Sequence, residues 1–297
     1  MRQNNRQSRH VKTPMSKGVD LGSAPLLEAL RLLGEFEVLT TSQLIRLIQG
    51  RHERADRTLK TMLTNMWRCN LVVRFAPTNN HEMAYALDRV GVHVLREQGH
   101  EPERWRPQLR NLLTYSQGYF SLEHNLLATE AMIRLLEAAK LYDLPRSYQH
   151  SPRNPTPPPH WDKLVVIDGF HIYIEADRAS EKGHKIYQKV DNYLHYIEDQ
   201  HPNRNACVLF VVQLVAEGAE SRRVESLKGI IERYGQKAAW SGLVQFCRIV
   251  TLKRMTVEEA LSEPICRIAG RDGRHYLNSP VDFTRYAGML PGPDDLI

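Results

Sequence analysis

Residues 160–196, HWDKLVVIDGFHIYIEADRASEKGHKIYQKVDNYLHY, contain two apolar runs separated by a turn dipeptide. The runs cover residues 164–167 and 170–176 and are rich in β-branched and aromatic side chains. Between them, Asp168-Gly169 suits a two-residue turn that needs positive φ. We therefore predict that the two runs are strands of an antiparallel hairpin at the core of a second domain.

Three acidic residues lie near the ends of this hairpin. Asp162 stands at the start of the first strand, and Glu175 and Asp177 alternate onto one face at the end of the second. Convergent carboxylates repel one another unless a cation, usually Mg²⁺ or Mn²⁺, binds between them. The pattern therefore predicts a metal site of the kind that nucleases use to hydrolyse DNA. The alternative is that these acids are solvated at the edge of the sheet.

A helix is predicted directly after the hairpin, at residues 181–200. Lys185, Lys189 and Tyr193 lie close to one of its faces. A lysine at this place can position a phosphate or activate a water, and Tyr193 can pack beneath the site. The alternative is that both lysines are solvated, because lysines at this spacing are common on helix surfaces.

Asp162, Glu175, Asp177 and the segment Lys189-x-x-x-Tyr193 resemble the PD-(D/E)XK nuclease superfamily, and more specifically the replication-relaxation family of plasmids and mobile elements. The resemblance implies a winged helix followed by a nuclease-like domain with an E-x-D-R strand. Asp177 stands where the nuclease motif has its lysine, and Trp161 replaces the proline before Asp162. Either Lys185 or Lys189 fills the place of that lysine, or hydrolysis has been lost.

Length, composition and charge limit the kinds of protein that this chain can be. The chain has 297 residues, of which 42% are hydrophobic and 25% charged, which is enough for two domains with their own cores. The net charge of +6 favours a polyanionic partner. Four cysteines lack metal-ligand spacing, and no apolar run has the length of a membrane span or a signal peptide. We expect a cytoplasmic protein with no membrane partner.

The N-terminal part predicts a winged helix-turn-helix domain at residues 23–99, after a disordered basic arm at 1–22. That arm either follows a DNA groove or only aids solubility. The predicted helices and strands follow one another in the order of a winged helix. They are a helix from Pro25 that Gly34 ends, a helix from Thr40 or Thr41 to Gly50 with a Thr40 and Gln43 capping box, a helix at 53–67, strands at 71–75 and 83–87, and a helix at 90–98.

Basic side chains follow the outer face of the third predicted helix. On a winged helix that face reads the major groove, and the hairpin lies over the phosphate backbone. The predicted contacts to double-stranded DNA are Arg51, Arg54, Arg57, Lys60 and, on the first strand of the wing, Arg74. The alternative is a winged helix that binds protein.

The remaining chain predicts a linker at 100–117, a nuclease-like domain with a mixed sheet at 118–280 and a tail at 281–297. A helix at 122–141 carries His124 and two candidate acids, Glu123 and Glu130. Further predicted elements are strands at 147–151, 207–216 and 243–252, helices at 221–234 and 256–261, and a hairpin at 265–276. The fold class is α/β, or α+β for the whole chain.

Two functional hypotheses follow. In the first, a sequence-directed DNA-binding protein of a mobile element also cuts DNA, with Asp162, Glu175 and Asp177 as metal ligands and Lys189 or Lys185 as the catalytic cation. In the second, the protein is a regulator or replication accessory factor without enzymatic activity. Its nuclease-like domain then serves for dimerisation or for binding replication or mobilisation proteins.

Overall fold

The computed structural model describes residues 20–49, 56–76, 82–103, 116–141, 143–150, 159–179, 183–201, 206–214, 216, 218–236 and 247–256. The described residues from 20 to 103 form one compact unit, and those from 116 to 256 form another. Several predicted segments lie wholly or mostly outside the described residues. They are the arm 1–22, the linker 100–117, the helix 256–261, the hairpin 265–276 and the tail 281–297.

The first unit combines helices with a small antiparallel sheet, and apart from one additional strand its elements follow the order that the sequence predicts. Its described strands follow the order β1-β3-β2. The elements are α1 (Ala24–Phe36), β1 (Leu39–Thr40), α2 (Thr41–Gln49), α3 (Asp56–Arg68), β2 (Val72–Phe75), β3 (Ala84–Leu87) and α4 (Arg89–Glu97). The two-residue strand β1 was not predicted from the sequence.

The sequence predicts the start of α2 correctly and the end of α1 wrongly. The capping box is confirmed, because the Thr40 N–H donates to Gln43 Oε1 at 3.0 Å and the Gln43 N–H donates to Thr40 Oγ1 at 3.3 Å. Gly34 does not end α1, which continues to Phe36 and ends at Glu37 with a φ of 71°. Gly34 is small for another reason, since a Cβ there would meet the Pro102 Cβ at 3.0 Å.

The second unit contains a mixed sheet covered by helices. Its described strands follow the order β4-β5-β6-β7-β8, antiparallel from β4 to β6 and parallel from β6 to β8. The predicted mixed α/β class is therefore confirmed. The elements are α5 (Ser116–Leu141), β4 (Arg146–His150), β5 (Lys163–Ile167), β6 (Phe170–Asp177), α6 (Gly183–Gln200), β7 (Ala206–Val212), α7 (Ala219–Gly235) and β8 (Cys247–Thr251).

The central hairpin forms as predicted. Asp168 and Gly169 have φ values of 46° and 78°, and Ile167 pairs with Phe170 across the turn. Side chains of β5 and β6 alternate between the two faces of the sheet. Leu164 and Tyr173 pack in one core with residues of α6 and α7. Helix α5 contacts β4, β5 and β6, and none of its described side chains belongs to that core, so it covers the opposite face.

The helices of the described residues differ in length and in apolar character. None of them combines the length and the apolar character that a bilayer crossing requires.

Close packing of α4 on Leu71, the residue just before β2, requires a glycine at position 91. A Cβ at Gly91 would stand 2.1 Å from the Leu71 carbonyl oxygen, which accepts a hydrogen bond from the Asp88 N–H at 3.0 Å. Alanine would favour the helix by about 1 kcal/mol, but the clash is with backbone that is held in place. We predict that Gly91→Ala lowers the free energy of unfolding by about 1–3 kcal/mol or more in chemical denaturation.

Gly229→Ala in α7 is the matched control. Nothing lies within 4 Å of a Cβ built at that position. The free energy of unfolding should therefore stay the same or rise by up to about 1 kcal/mol through helix propensity. A Gly91→Ala variant as stable as the wild type would contradict the close approach of α4 to Leu71.

Candidate functional site

The C-terminal end of β6 gathers ionic side chains from the strand and from the helices around it. Residues 175–178 form the segment Glu-Ala-Asp-Arg, and Asp162 lies next to it, just before β5. The Asp162 N–H donates to the Ile174 carbonyl at 3.1 Å, which continues the β5-β6 ladder by one residue. The hairpin therefore brings Asp162 alongside Glu175.

Glu175 is buried at the centre of this group and is 1% exposed. Lys189 Nζ of α6 donates to Glu175 Oε2 at 2.7 Å, and the Tyr193 hydroxyl donates to Oε1. Burial and the charge of Asp162 raise the pKa of Glu175 to about 7, against the opposing effect of Lys189 and Tyr193. Burial and the Glu175 charge likewise raise the pKa of Tyr193.

Asp162 is held from two sides. Its Oδ2 accepts a hydrogen bond from the Ala176 N–H at 2.8 Å and lies 2.8 Å from Nε2 of His124 on α5. Burial opposes ionisation of Asp162, but the hydrogen bond and charge of His124 outweigh it and keep the pKa of Asp162 below its ordinary value. For His124, the same contact outweighs burial and raises the pKa.

Asp177 takes no part in the group around Glu175. Arg223 of α7 donates to both of its carboxylate oxygens, at 2.9 and 2.8 Å, and the Ala179 N–H donates to Oδ1 at 2.7 Å. Next along the chain, Arg178 forms an ion pair with Glu123 of α5. Both pairs are nearly buried, with side-chain exposures of 7–12%.

The structure thus brings together three of the five predicted catalytic residues. Asp162, Glu175 and Lys189 form one connected group, whereas Asp177 belongs to the Arg223 pair. Lys185 is exposed one helical turn before Lys189. Of the two candidate acids on α5, Glu123 pairs with Arg178, and Glu130 accepts a hydrogen bond from Arg134 at 2.8 Å.

The fit of a divalent cation depends on the carboxylates that stand together. Within the described part of the chain, no three His, Cys, Asp or Glu side chains are arranged to ligate one ion. Asp177 does not fit, because Arg223 occupies both of its oxygens. Asp162 and Glu175 stand together, but Glu175 Oε2 bonds to Lys189 and Oε1 to Tyr193. A Mg²⁺ or Mn²⁺ ion would fit between Asp162 and Glu175 only after displacing Lys189 from Oε2, with its remaining ligands from water and a substrate phosphate.

A second candidate surface lies on α3 and β2 of the first unit. Arg57 and Lys60 are exposed on the outer face of α3. The Arg74 guanidinium lies 3.9 Å from the centre of the Trp67 ring. No acidic residue occurs between positions 57 and 81. Arg51 and Arg54, the other predicted DNA contacts, lie outside the described residues.

A comparison with protein families identifies the chain. The model of the replication-relaxation family matches residues 30–212, more than half of the 297 residues. The chain belongs to the replication-relaxation family. This membership points to a replication-related function in plasmids or other mobile elements. No curated protein and no solved structure gives a significant match.

Sequence reasoning missed several partners of the E-x-D-R segment in this replication-relaxation protein. In the sequence, Arg223 is only one of the cations at a basic helix start, and Arg178 is only the last residue of the motif. The contact between His124 and Asp162 joins residues 38 positions apart. The spacing of charges along the chain carries no signal for such pairs, because they depend on how α5 and α7 pack on the sheet.

The raised pKa of Glu175 predicts a pH dependence of stability. A folded-state pKa of about 7, above the ordinary 4.5, means that the folded protein binds a proton that the unfolded chain has released. Glu175 therefore costs stability progressively as the pH rises from 4.5 to 7. In EDTA, the difference in the free energy of unfolding between the wild type and Glu175→Gln should change across this window and level off on both sides. If that difference in the free energy of unfolding stays constant with pH, the raised pKa of Glu175 is wrong.

Proposed function

We propose that the first unit is a winged helix that binds double-stranded DNA, and that the protein acts at a DNA site in the replication of a mobile element. The order of elements and the β1-β3-β2 sheet support this proposal. In a winged helix of this order, α3 enters the major groove and the β2-β3 hairpin lies over the backbone. The observation that carries the proposal is that α3 presents its cations on its free side.

The packing of α3 leaves that side free of the core. Leu59, Leu63 and Met66 are buried, and the opposite side bears Arg57 and Lys60. Positions 57 to 81 contain no acid, and the one acid of α3, Asp56 in its first turn, accepts a hydrogen bond from Gln49 at 2.7 Å. Cations in such a row neutralise phosphates and release the counterions bound to DNA. A protein partner has no comparable need for a row of cations.

The double variant Arg57→Ala/Lys60→Ala tests DNA binding by α3. We expect weaker binding to duplex DNA, and a plot of log affinity against log salt concentration that is less steep by about 1 for each phosphate that the variant no longer neutralises. Fluorescence anisotropy at several salt concentrations measures both quantities.

The matched control removes two exposed cations from another helix of the same unit. Arg89 and Arg96 lie on α4, so Arg89→Ala/Arg96→Ala makes the same change in net charge. Affinity and salt dependence should remain close to those of the wild type. If both double variants lose the same amount of DNA affinity, the loss is a general effect of net charge and α3 is not the DNA-binding helix.

A second candidate function is DNA cleavage by the second unit. The convergence of Asp162, Glu175 and Lys189 favours it, because two carboxylates can hold a metal ion and a lysine can stabilise phosphate charge in phosphodiester hydrolysis. Asp162 and Glu175 would hold a Mg²⁺ or Mn²⁺ ion, which would lower the pKa of a bound water and offset phosphate charge.

The protein side chains would act around those ligands. Lys189 bonds to Glu175 now and would turn to a phosphate oxygen, where its charge stabilises the transition state. Tyr193 would keep Glu175 in place through its hydroxyl. His124 would do the same for Asp162.

Lys189→Ala and Lys185→Ala form a matched pair for this test. They remove the same group from the same helix, one turn apart, but Lys189 contacts Glu175 and Lys185 is exposed. In a supercoiled-plasmid nicking assay with Mg²⁺ and with Mn²⁺, Lys189→Ala should lower the cleavage rate by about 10²–10³ and Lys185→Ala should leave it unchanged.

The result also separates the two functional hypotheses. Cleavage that Lys189→Ala and Glu175→Gln both abolish would support the nuclease. If neither metal ion produces nicks with the wild type, the second unit serves for dimerisation or partner binding, and the protein is a DNA-binding regulator or replication accessory factor.

A further inference from the structure

An exposed tryptophan lies within the basic surface of the first unit. Trp67 is 40% exposed in the last turn of α3. The Arg74 guanidinium stacks over its ring at 3.9 Å. Single exposed hydrophobic residues are common on protein surfaces, so Trp67 indicates a ligand only through the cations that surround it.

Trp67 shares its helix face with the cations of α3. Positions 57, 60, 64, 67 and 68 lie along one side of the helix, because they are three or four residues apart. The hydroxyls of Thr61 and Thr64 donate to the carbonyls of Arg57 and Lys60, at 2.9 and 3.0 Å. This face therefore offers a ligand mainly basic groups and one aromatic ring, with Asp56 as an acid at its N-terminal end.

The stack orients the arginine of the wing strand. Arg74 is half-buried on β2, and Trp67 supports its guanidinium from α3. A stacked guanidinium keeps its N–H donors in the plane, where they can contact a phosphate or a base. Trp67 and Arg74 therefore form one platform, which we call the Trp67-Arg74 platform.

We propose that the Trp67-Arg74 platform binds an unpaired base, so that the protein prefers DNA at a junction between duplex and single strand. The inference rests on the proposed DNA binding by α3 and names the form of DNA that this surface selects. An indole ring has a single N–H donor and recognises bases mainly by stacking on them. In a closed duplex the base faces are already stacked on their neighbours, so a free face exists only where the strands separate.

The charge of the surface favours nucleic acid over a protein partner. Aromatic rings between cations are typical of surfaces that bind single strands, where the cations follow the backbone and the rings stack on bases. Residues 57–81 contain Arg57, Lys60, Arg68 and Arg74 and no acid. A second copy of the same surface would bring like charges together, which opposes self-association through this face.

Fluorescence anisotropy with two DNA probes tests the proposal. One is a closed duplex, and the other is a forked duplex of the same sequence with unpaired ends. The wild type should bind the fork more tightly, and Trp67→Ala should weaken fork binding by about tenfold more than it weakens duplex binding, since only the fork offers a free base face on which the indole can stack. Trp67→Phe should keep most of the preference for the fork. Circular dichroism checks that each variant is folded.

The outcomes separate this inference from the proposed function. If Arg57→Ala/Lys60→Ala weakens binding to both probes but Trp67→Ala weakens binding to neither, DNA binding by α3 stands and the junction preference is wrong. If the wild type binds neither probe, the proposed function itself fails. A Trp67→Ala variant that lowers self-association in sedimentation, with unchanged fork binding, would overturn the inference in favour of a protein interface.

Discussion

Burial of charge at the end of β6 is the constraint on which the second unit depends. An ionised group taken out of water without a partner costs several kcal/mol, so each charge in residues 175–178 needs an opposite charge within reach. The helices provide these partners. Glu175 is held by Lys189 of α6, Asp177 by Arg223 of α7, and Arg178 by Glu123 of α5. One short segment thus connects the strand to helices on both faces of the sheet.

The same constraint decides which residues remain available for chemistry. Asp177 stands where a nuclease motif has a lysine, and its pair with Arg223 takes it out of the group. The lysine that lies against Glu175 comes instead from α6, as Lys189. The hairpin sets Asp162 beside that pair, and His124 secures it from α5. The result is a smaller group than the sequence suggested, with two acids in place of three.

Local signals in the sequence were sufficient where the cause of the structure is local. The turn at Asp168-Gly169 and the capping box of Thr40 and Gln43 involve residues at most three apart, and both were predicted correctly. Prediction failed where contacts are distant in the chain. Strand β1 exists through its pairing with β3. Position 34 is a glycine because Pro102 leaves little room for a side chain there, and not because the helix ends at it. The partner of Asp177 lies 46 positions away, beyond the reach of any spacing rule.

Thr40 belongs to strand β1 and also caps helix α2. Its backbone pairs with Ala84 in the sheet, and its side chain and N–H cap α2, while the adjacent Thr41 N–H donates to the Met83 carbonyl at 2.9 Å. No spare residue therefore separates β1 from α2. Homologues that gain or lose a residue at this point must give up either the edge pairing or the first turn of the helix, so length variation in the family should fall elsewhere.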